Sequence, residues 1–275
     1  MILKHKFRNT YIGSVCRLLV VVSLGVGLFS CVETVQLDLR SIEPQLVIEG
    51  KITDGTIDNE VKITLSQDFQ KPNEFPPITT ATVTVTDLTT GEAELLSQTS
   101  PGVYEIRQLK GVSGHQYKLL VTYNDSNYES TSTMPQKVPF EELKYQEVTR
   151  MESNIRMVAV YNDPKEQTNY YRWATIGADG VRSRAYFVRS DSFNNGNRIE
   201  QVIDSGMDIQ AGDCITIEMQ CIDKATFDYF LTLSRQQGQG PNSGSSGTNP
   251  PTNISGGALG YFGAYTIALK TTEIK

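Results

Sequence analysis

Apolar and polar residues alternate with a period of two along most of this chain. Val61, Ile63 and Leu65 alternate with Lys62 and Thr64; Ala81, Val83 and Val85 alternate with Thr82, Thr84 and Thr86; Tyr117, Leu119, Val121 and Tyr123 keep the same spacing. Such spacing puts one set of side chains on one face of a β-strand. Turn-forming pairs separate these runs: Asp54-Gly55, Thr90-Gly91 and Pro101-Gly102. Leu46-Val-Ile48, Val103 to Ile106 and Tyr128 to Thr133 add further short strands. Many short strands with regular turns and β-branched stretches such as TATVTVTDLTT predict an immunoglobulin-like or fibronectin-like β-sandwich over residues 45–134.

Met134 to Val138, with Pro135 and then Pro139, reads as a hinge to a second β-rich domain over residues 135–275. Its predicted strands are Ile155 to Tyr161, Tyr170 to Ile176, Arg182 to Arg189, Arg198 to Ile203, Cys214 to Ile222 and Gly260 to Leu269. One short helix is expected over 223–236, capped by Asp223, with Phe227, Phe230, Leu231 and Ser234 on one stripe. The Gly/Ser/Asn/Pro-rich residues 238–257 have no apolar period and read as a long surface loop. The fold class expected is therefore mostly β, a sandwich followed by a second β-rich domain with one helix. A length of 275 residues agrees with about two domains.

The first thirty residues break this pattern. Lys4, Lys6, Arg8 and Arg17 precede the apolar run LLVVVSLGVGLF, Leu18 to Phe29. That run is short of the roughly 20 residues a membrane-spanning helix needs, and it fits the core of a secretory signal. It ends in Leu28-Phe29-Ser30-Cys31, which resembles the lipobox of bacterial lipoproteins. By that resemblance residues 1–30 are a signal peptide, the Cys31 thiol carries a diacylglyceryl group, and residues 31–44 are a tether. An ordinary signal peptide or a signal anchor is the alternative; charge, core length and box together favour the lipoprotein. Two acyl chains suffice for stable attachment where one is marginal, at about 0.8 kcal/mol per buried CH2.

Removing the signal leaves 21 basic against 31 acidic side chains, a net charge of −10. Such a surface disfavours nucleic acid, whose binding rests on Lys and Arg neutralising phosphates. It equally disfavours docking on an anionic leaflet through a basic patch.

Catalytic and metal chemistry find little support. His115 is the one histidine outside the signal, and Ser113 and Asp125 are its neighbours in sequence only. Asp54, Asp58 and Glu60 bracket a turn, and Asp204, Asp208 and Asp213 another, without the spacing of a Ca²⁺ loop. No phosphate loop and no cofactor motif is present, so no cofactor and no enzyme activity are expected. Cys214 and Cys221 lie on one predicted strand, roughly 23 Å apart at about 3.3 Å per residue, beyond disulfide reach, and are expected free and at least partly buried.

The aromatics are the better candidates for ligand binding. Tyr171 and Trp173 share one strand face and Tyr170 takes the other; one face is core, where Trp173 is expected, and the other can be a platform for a sugar or peptide. Tyr261, with Phe262 and Tyr265 nearby, is equally open to either reading. Tyr170, Tyr171, Trp173 and Tyr261 are thus the candidate ligand-binding residues.

The order of these parts resembles a family of uncharacterised Bacteroidetes lipoproteins, domain of unknown function 4249. The resemblance is carried by Cys31, Leu46-Val-Ile-Glu-Gly50, Ala81 to Asp87, Gly102-Val-Tyr104, Gly114-His-Gln-Tyr117, Tyr170-Tyr-Arg-Trp173, Phe227 to Leu233, and Asn253 to Gly257 with Leu259-Gly-Tyr-Phe262. It implies an outer-membrane lipoprotein, often found alongside a TonB-dependent transporter, and it supplies no catalytic residues. Two functions are expected from this reading: a non-enzymatic accessory protein of such a nutrient transporter, or a self-standing cell-surface binder of glycan or peptide whose loops make the contact.

Overall fold

The first strand of the chain pairs with the last. In the computed structural model, which describes residues 43–55, 59–67, 75–149, 153–192, 195–237 and 248–275, β1 (Leu46–Thr53) runs parallel to β15 (Leu259–Glu273), Ile48 opposite Gly260 and Thr53 opposite Tyr265. The expected signal peptide, Cys31 and most of the tether lie outside the described residues.

Between these two strands come β2 (Glu60–Leu65), β3 (Thr82–Asp87), β4 (Ala93–Leu95), β5 (Ser97–Ser100), β6 (Val103–Glu105), β7 (Gln116–Tyr123) and β8 (Ser126–Thr133). The second half adds β9 (Phe140–Thr149), β10 (Ser153–Asn162), β11 (Tyr170–Ile176), β12 (Phe187–Ser190), β13 (Arg198–Ile203), β14 (Cys214–Ile222) and the helix α1 (Lys224–Gln237). The chain is mostly β, as its alternating pattern predicts.

Eight strands form one long sheet in the order β12-β11-β14-β15-β1-β2-β6-β5. A four-stranded sheet, β4-β3-β7-β8, and a three-stranded sheet, β13-β10-β9, complete the structure. The long sheet crosses the boundary expected near residue 134, because β15 pairs with β1 on one side and with β14 on the other. The separation into domains 45–134 and 135–275 is therefore not how the described chain divides: residues 43–275 form one compact unit. The physical reason is pairing between sequence-distant strands, which leaves no local signal.

Both small sheets are served by one face of the long sheet. Ile48 and Ile52 of β1 and Phe262 and Ala264 of β15 join Val83, Val85, Leu119 and Val121 in the first core. Trp173 of β11 and Ile217 and Met219 of β14 join Met157, Ala159 and Ile203 in the second. Each fully buried large apolar side chain contributes about 1.5–3 kcal/mol. The Tyr117 hydroxyl fastens the first sandwich, accepting from Val112 N–H at 2.8 Å and donating to Lys110 C=O at 3.1 Å, in the manner of the tyrosine corner of such sandwiches.

Several local expectations hold. Asp223 caps α1, its Oδ1 accepting from Thr226 N–H at 2.8 Å. Strands β11, β13 and β14 have the predicted bounds. The predicted strand from Arg182 shrinks to β12, preceded by an irregular stretch with a single bridge between Ile176 and Arg182. Strand β9 was not expected: its sequence FEELKYQEVT is charged because β9 is an edge strand, where charges discourage further pairing. Asn253 closes the loop before β15 by imitating a strand, accepting from Phe262 N–H at 2.9 Å and donating to Phe262 C=O at 2.7 Å.

Gly260 is the tightest point of the β1–β15 junction. It has φ +100°, and a Cβ there would lie 2.0 Å from the Ile48 carbonyl oxygen. Gly260→Ala combines backbone strain with a steric clash, so it is expected to lower the unfolding free energy by about 3 kcal/mol or more. Urea titration checks this; an unchanged midpoint would mean that the strands do not approach this closely.

Candidate functional site

The second face of the long sheet is partly roofed by α1. Phe227, Tyr229 and Phe230 of the helix pack on Val188, Ile222 and Tyr265, with Tyr170, Tyr186 and Tyr261 at the margin. Beyond the helix this face remains open as a groove of about 660 Å³, within the usual range for small-molecule sites. Four adjacent strands build its floor. Glu49 on β1 faces its partner Tyr261 on β15; Arg172 on β11, Gln220 on β14 and Ile267 on β15 form one cross-strand row, and Ala174, Glu218 and Leu269 the next. Matching register gives these side chains a common face.

A ladder of polar groups runs across this floor. Arg182 donates to both oxygens of Glu218, each at 2.9 Å, a bidentate pair. Gln220 Nε2 donates to Glu218 Oε1, and Arg172 Nη1 donates to Gln220 Oε1 at 2.8 Å. Burial pushes the Glu218 carboxyl up, but the hydrogen bonds and charge of Arg182, aided by Gln220 and Arg172, outweigh it and hold the group below the usual carboxylate range. The ladder is preorganised, each member fixed by the next.

Aromatic rings form the wall. Tyr261 stands 4.7 Å from Tyr229 and 5.0 Å from Phe230, ring centre to ring centre. Tyr186 is 5.6 Å from Phe230, and the Arg172 guanidinium lies 4.2 Å over the same ring, a cation–π contact. Burial raises the hydroxyls of Tyr261 and Tyr265, which keeps them protonated at neutral pH. The arrangement offers apolar surface beside fixed donors and acceptors. Among the described residues its lining has no histidine, cysteine or serine.

The candidate aromatics separate. Tyr261 lines the groove. Tyr170 shares that sheet face but lies under the helix, 4.9 Å from Phe227. Tyr171 and Trp173, each 1% exposed, are in the second core, against Tyr161 and, for Trp173, Phe187. For these two the ligand-binding reading is corrected: the three-stranded sheet covers their face of β11. The Tyr171 hydroxyl donates to Asp163, a core contact. Cys31 lies outside the described residues.

Sequence reasoning missed Arg172, Arg182, Glu218, Gln220 and Phe230 as a group. Glu218 and Gln220 alternate with apolar residues and so read as solvent-facing, yet both are buried. The available signal was Arg172 itself, placed between Tyr171 and Trp173 on a strand with only one face expected to be core. The other expected groups are engaged elsewhere. His115 Nδ1 is 2.7 Å from Asp87, not bonded to Ser113 or Asp125. Asp54 accepts from Ile267 N–H at 2.7 Å and from Lys137 at 3.0 Å. Both cysteines are free as expected, but only Cys221 is buried; Cys214, at the start of β14, is exposed, which corrects the expectation of burial for it. Asp58 lies outside the described residues.

Comparison with known proteins gives a family and little else. The profile of the family described as "Domain of unknown function (DUF4249)" matches residues 32–271. No curated protein matches. Among solved structures, a two-fibronectin-type-III-domain segment from chicken tenascin is similar at 10% identity over 65% of this chain and 90% of its own, with a TM-score of 0.21. A similarity that low carries no argument, and the architecture rests on the strand pairing described above.

The Glu218 carboxyl, depressed in the folded state, contributes stability that is present above its unfolded value of about 4.3 and is lost as the pH falls through its folded value. Glu218→Gln is expected to cost about 1–3 kcal/mol at pH 7, toward the low end because the Arg182 side chain is 35% exposed. It is also expected to flatten the acid dependence below about pH 4.3. Urea unfolding at pH 7 and in acid checks both; an acid loss identical to that of the wild type would contradict the stabilising role of the pair.

Proposed function

The chain belongs to the DUF4249 family, and from that premise we propose that it is a non-enzymatic, lipid-anchored outer-membrane protein that captures a ligand in the groove of its long sheet and acts beside a TonB-dependent nutrient transporter. The observation that carries this reading is the groove: a cavity of about 660 Å³ whose floor is a paired sheet on which Arg182, Glu218, Gln220 and Arg172 are fixed by one another. Such preformed, mostly apolar sites with a few placed polar groups are the usual form of small-molecule binding sites.

Attachment through Cys31 is supported by the basic start, the 12-residue apolar run and the Leu28-Phe29-Ser30-Cys31 box. Among the described residues no helix is long and apolar enough to cross a membrane. A binder, not an enzyme, is favoured because Arg182, Glu218, Gln220 and Arg172 hold one another in a fixed ladder and because, among the described residues, the lining has no histidine, cysteine or serine. A self-standing surface binder of glycan or peptide would use the same groove, and the aromatic wall of Tyr261 and Tyr186 is compatible with it.

Cys31→Ala is expected to release the folded protein from membranes, read by fractionation; unchanged retention would make the apolar run the anchor. Affinity capture of the native full chain from detergent-solubilised membranes is expected to recover a large β-barrel transporter. Repeated recovery of the chain alone would overturn the partnership and favour the self-standing binder.

A further inference from the structure

Among the described residues the groove lining holds three cationic and two anionic side chains. Lys51, Arg172 and Arg182 line it against Glu49 and Glu218, in a chain whose residues 31–275 sum to −10. Cationic side chains gathered in a cleft of an acidic protein attract an anion.

Arg172 lies within range of the Glu218 charge but makes its hydrogen bond to Gln220. Both oxygens of Glu218 are taken by Arg182. The Arg172 guanidinium touches neutral groups, the Gln220 amide oxygen and the Phe230 ring, and forms no ion pair among the described residues. Its Nε is buried without a hydrogen-bond partner and is closed to a ligand, which would meet the Nη end of the guanidinium. A half-buried guanidinium gains most from a planar anion that accepts two of its N–H groups, which is the geometry of a carboxylate.

Beyond Gln220 and Glu218 the floor becomes apolar on β15. Ile267 completes the cross-strand row of Arg172 and Gln220. Leu269, in the next row, is 59% exposed, a large apolar side chain left open on a groove floor. We infer that the groove takes a small ligand in which a carboxylate is joined to an aromatic or branched aliphatic body, the carboxylate on Arg172 and the body over Ile267 and Leu269. This rests on reading the groove as a binding site.

A carboxylate of this kind can come from a peptide end or from an acidic sugar. Two acid–neutral pairs separate these sources: N-acetyl-Phe-Phe with its C-terminal amide, and phenyl β-D-glucuronide with phenyl β-D-glucoside. Calorimetric titration of the full chain in lipid nanodiscs is expected to show one acid binding at least tenfold more tightly than its neutral partner, with the preference shrinking as salt rises from about 50 to 300 mM. Arg172→Gln is expected to abolish the preference, and Arg172→Lys, which keeps the charge, to retain part of it; thermal melting of both variants verifies the fold. Equal binding of acid and neutral probes in both pairs would overturn the carboxylate assignment and leave the groove standing as a site. No binding of any probe at millimolar concentration would remove the groove reading as well. A preference that survives in folded Arg172→Gln would also overturn the assignment. None of these outcomes depends on the transporter.

Discussion

The parallel pairing of β1 with β15 is the constraint from which the rest of the architecture follows. Strands separated by most of the chain meet in the middle of the long sheet, Ile48 against Gly260 and Thr53 against Tyr265. Closing so long a loop costs only slightly more entropy than closing a shorter one, but it requires the intervening chain to be arranged on both sides of the junction. Residues between β1 and β8 build one sandwich and residues between β9 and β14 the other, with a shared wall. Phe262 and Ala264 serve the first core, while Met219 and Ile217, on the neighbouring β14, serve the second.

That shared wall decides where a ligand can go. Its inner face is occupied by the four-stranded and three-stranded sheets, and its outer face is only partly covered by α1. The outer face therefore holds a polar ladder that cannot be left unpaired. Glu218 and Gln220 are buried, and a buried carboxylate without partners would be costly. Arg182, Gln220 and Arg172 satisfy it in sequence. The rings of Phe230, Tyr186 and Tyr261 complete the wall. The outcome is a rigid surface of mixed chemistry, suited to holding a ligand in one orientation.

Strand identity was legible because it is local. The period of two marks β2, β3, β7, β11 and β14, and Asp223 announces the helix. What depends on distant pairing was not legible. No residue near Pro135 reveals that β15 will return to β1, so a hinge between two domains was the natural expectation. Strand β9 was hidden by its charges, which suit an edge. The aromatic stretch Tyr170 to Trp173 illustrates the limit most clearly: alternation correctly separates Tyr170 from Tyr171 and Trp173, but only the three-stranded sheet decides that the latter two are core. Glu218 and Gln220 misled for the converse reason, since a polar residue on an alternating strand normally faces water and here faces a groove.

Amide hydrogen exchange across β1, β14 and β15 tests the central claim most directly. If the two halves are fused through one sheet, the slowest amides of all three strands share a single opening free energy and lose protection together in denaturant. Protection of β1 lost in a separate, earlier transition while β14 stays closed would contradict a continuous sheet and restore two independent domains.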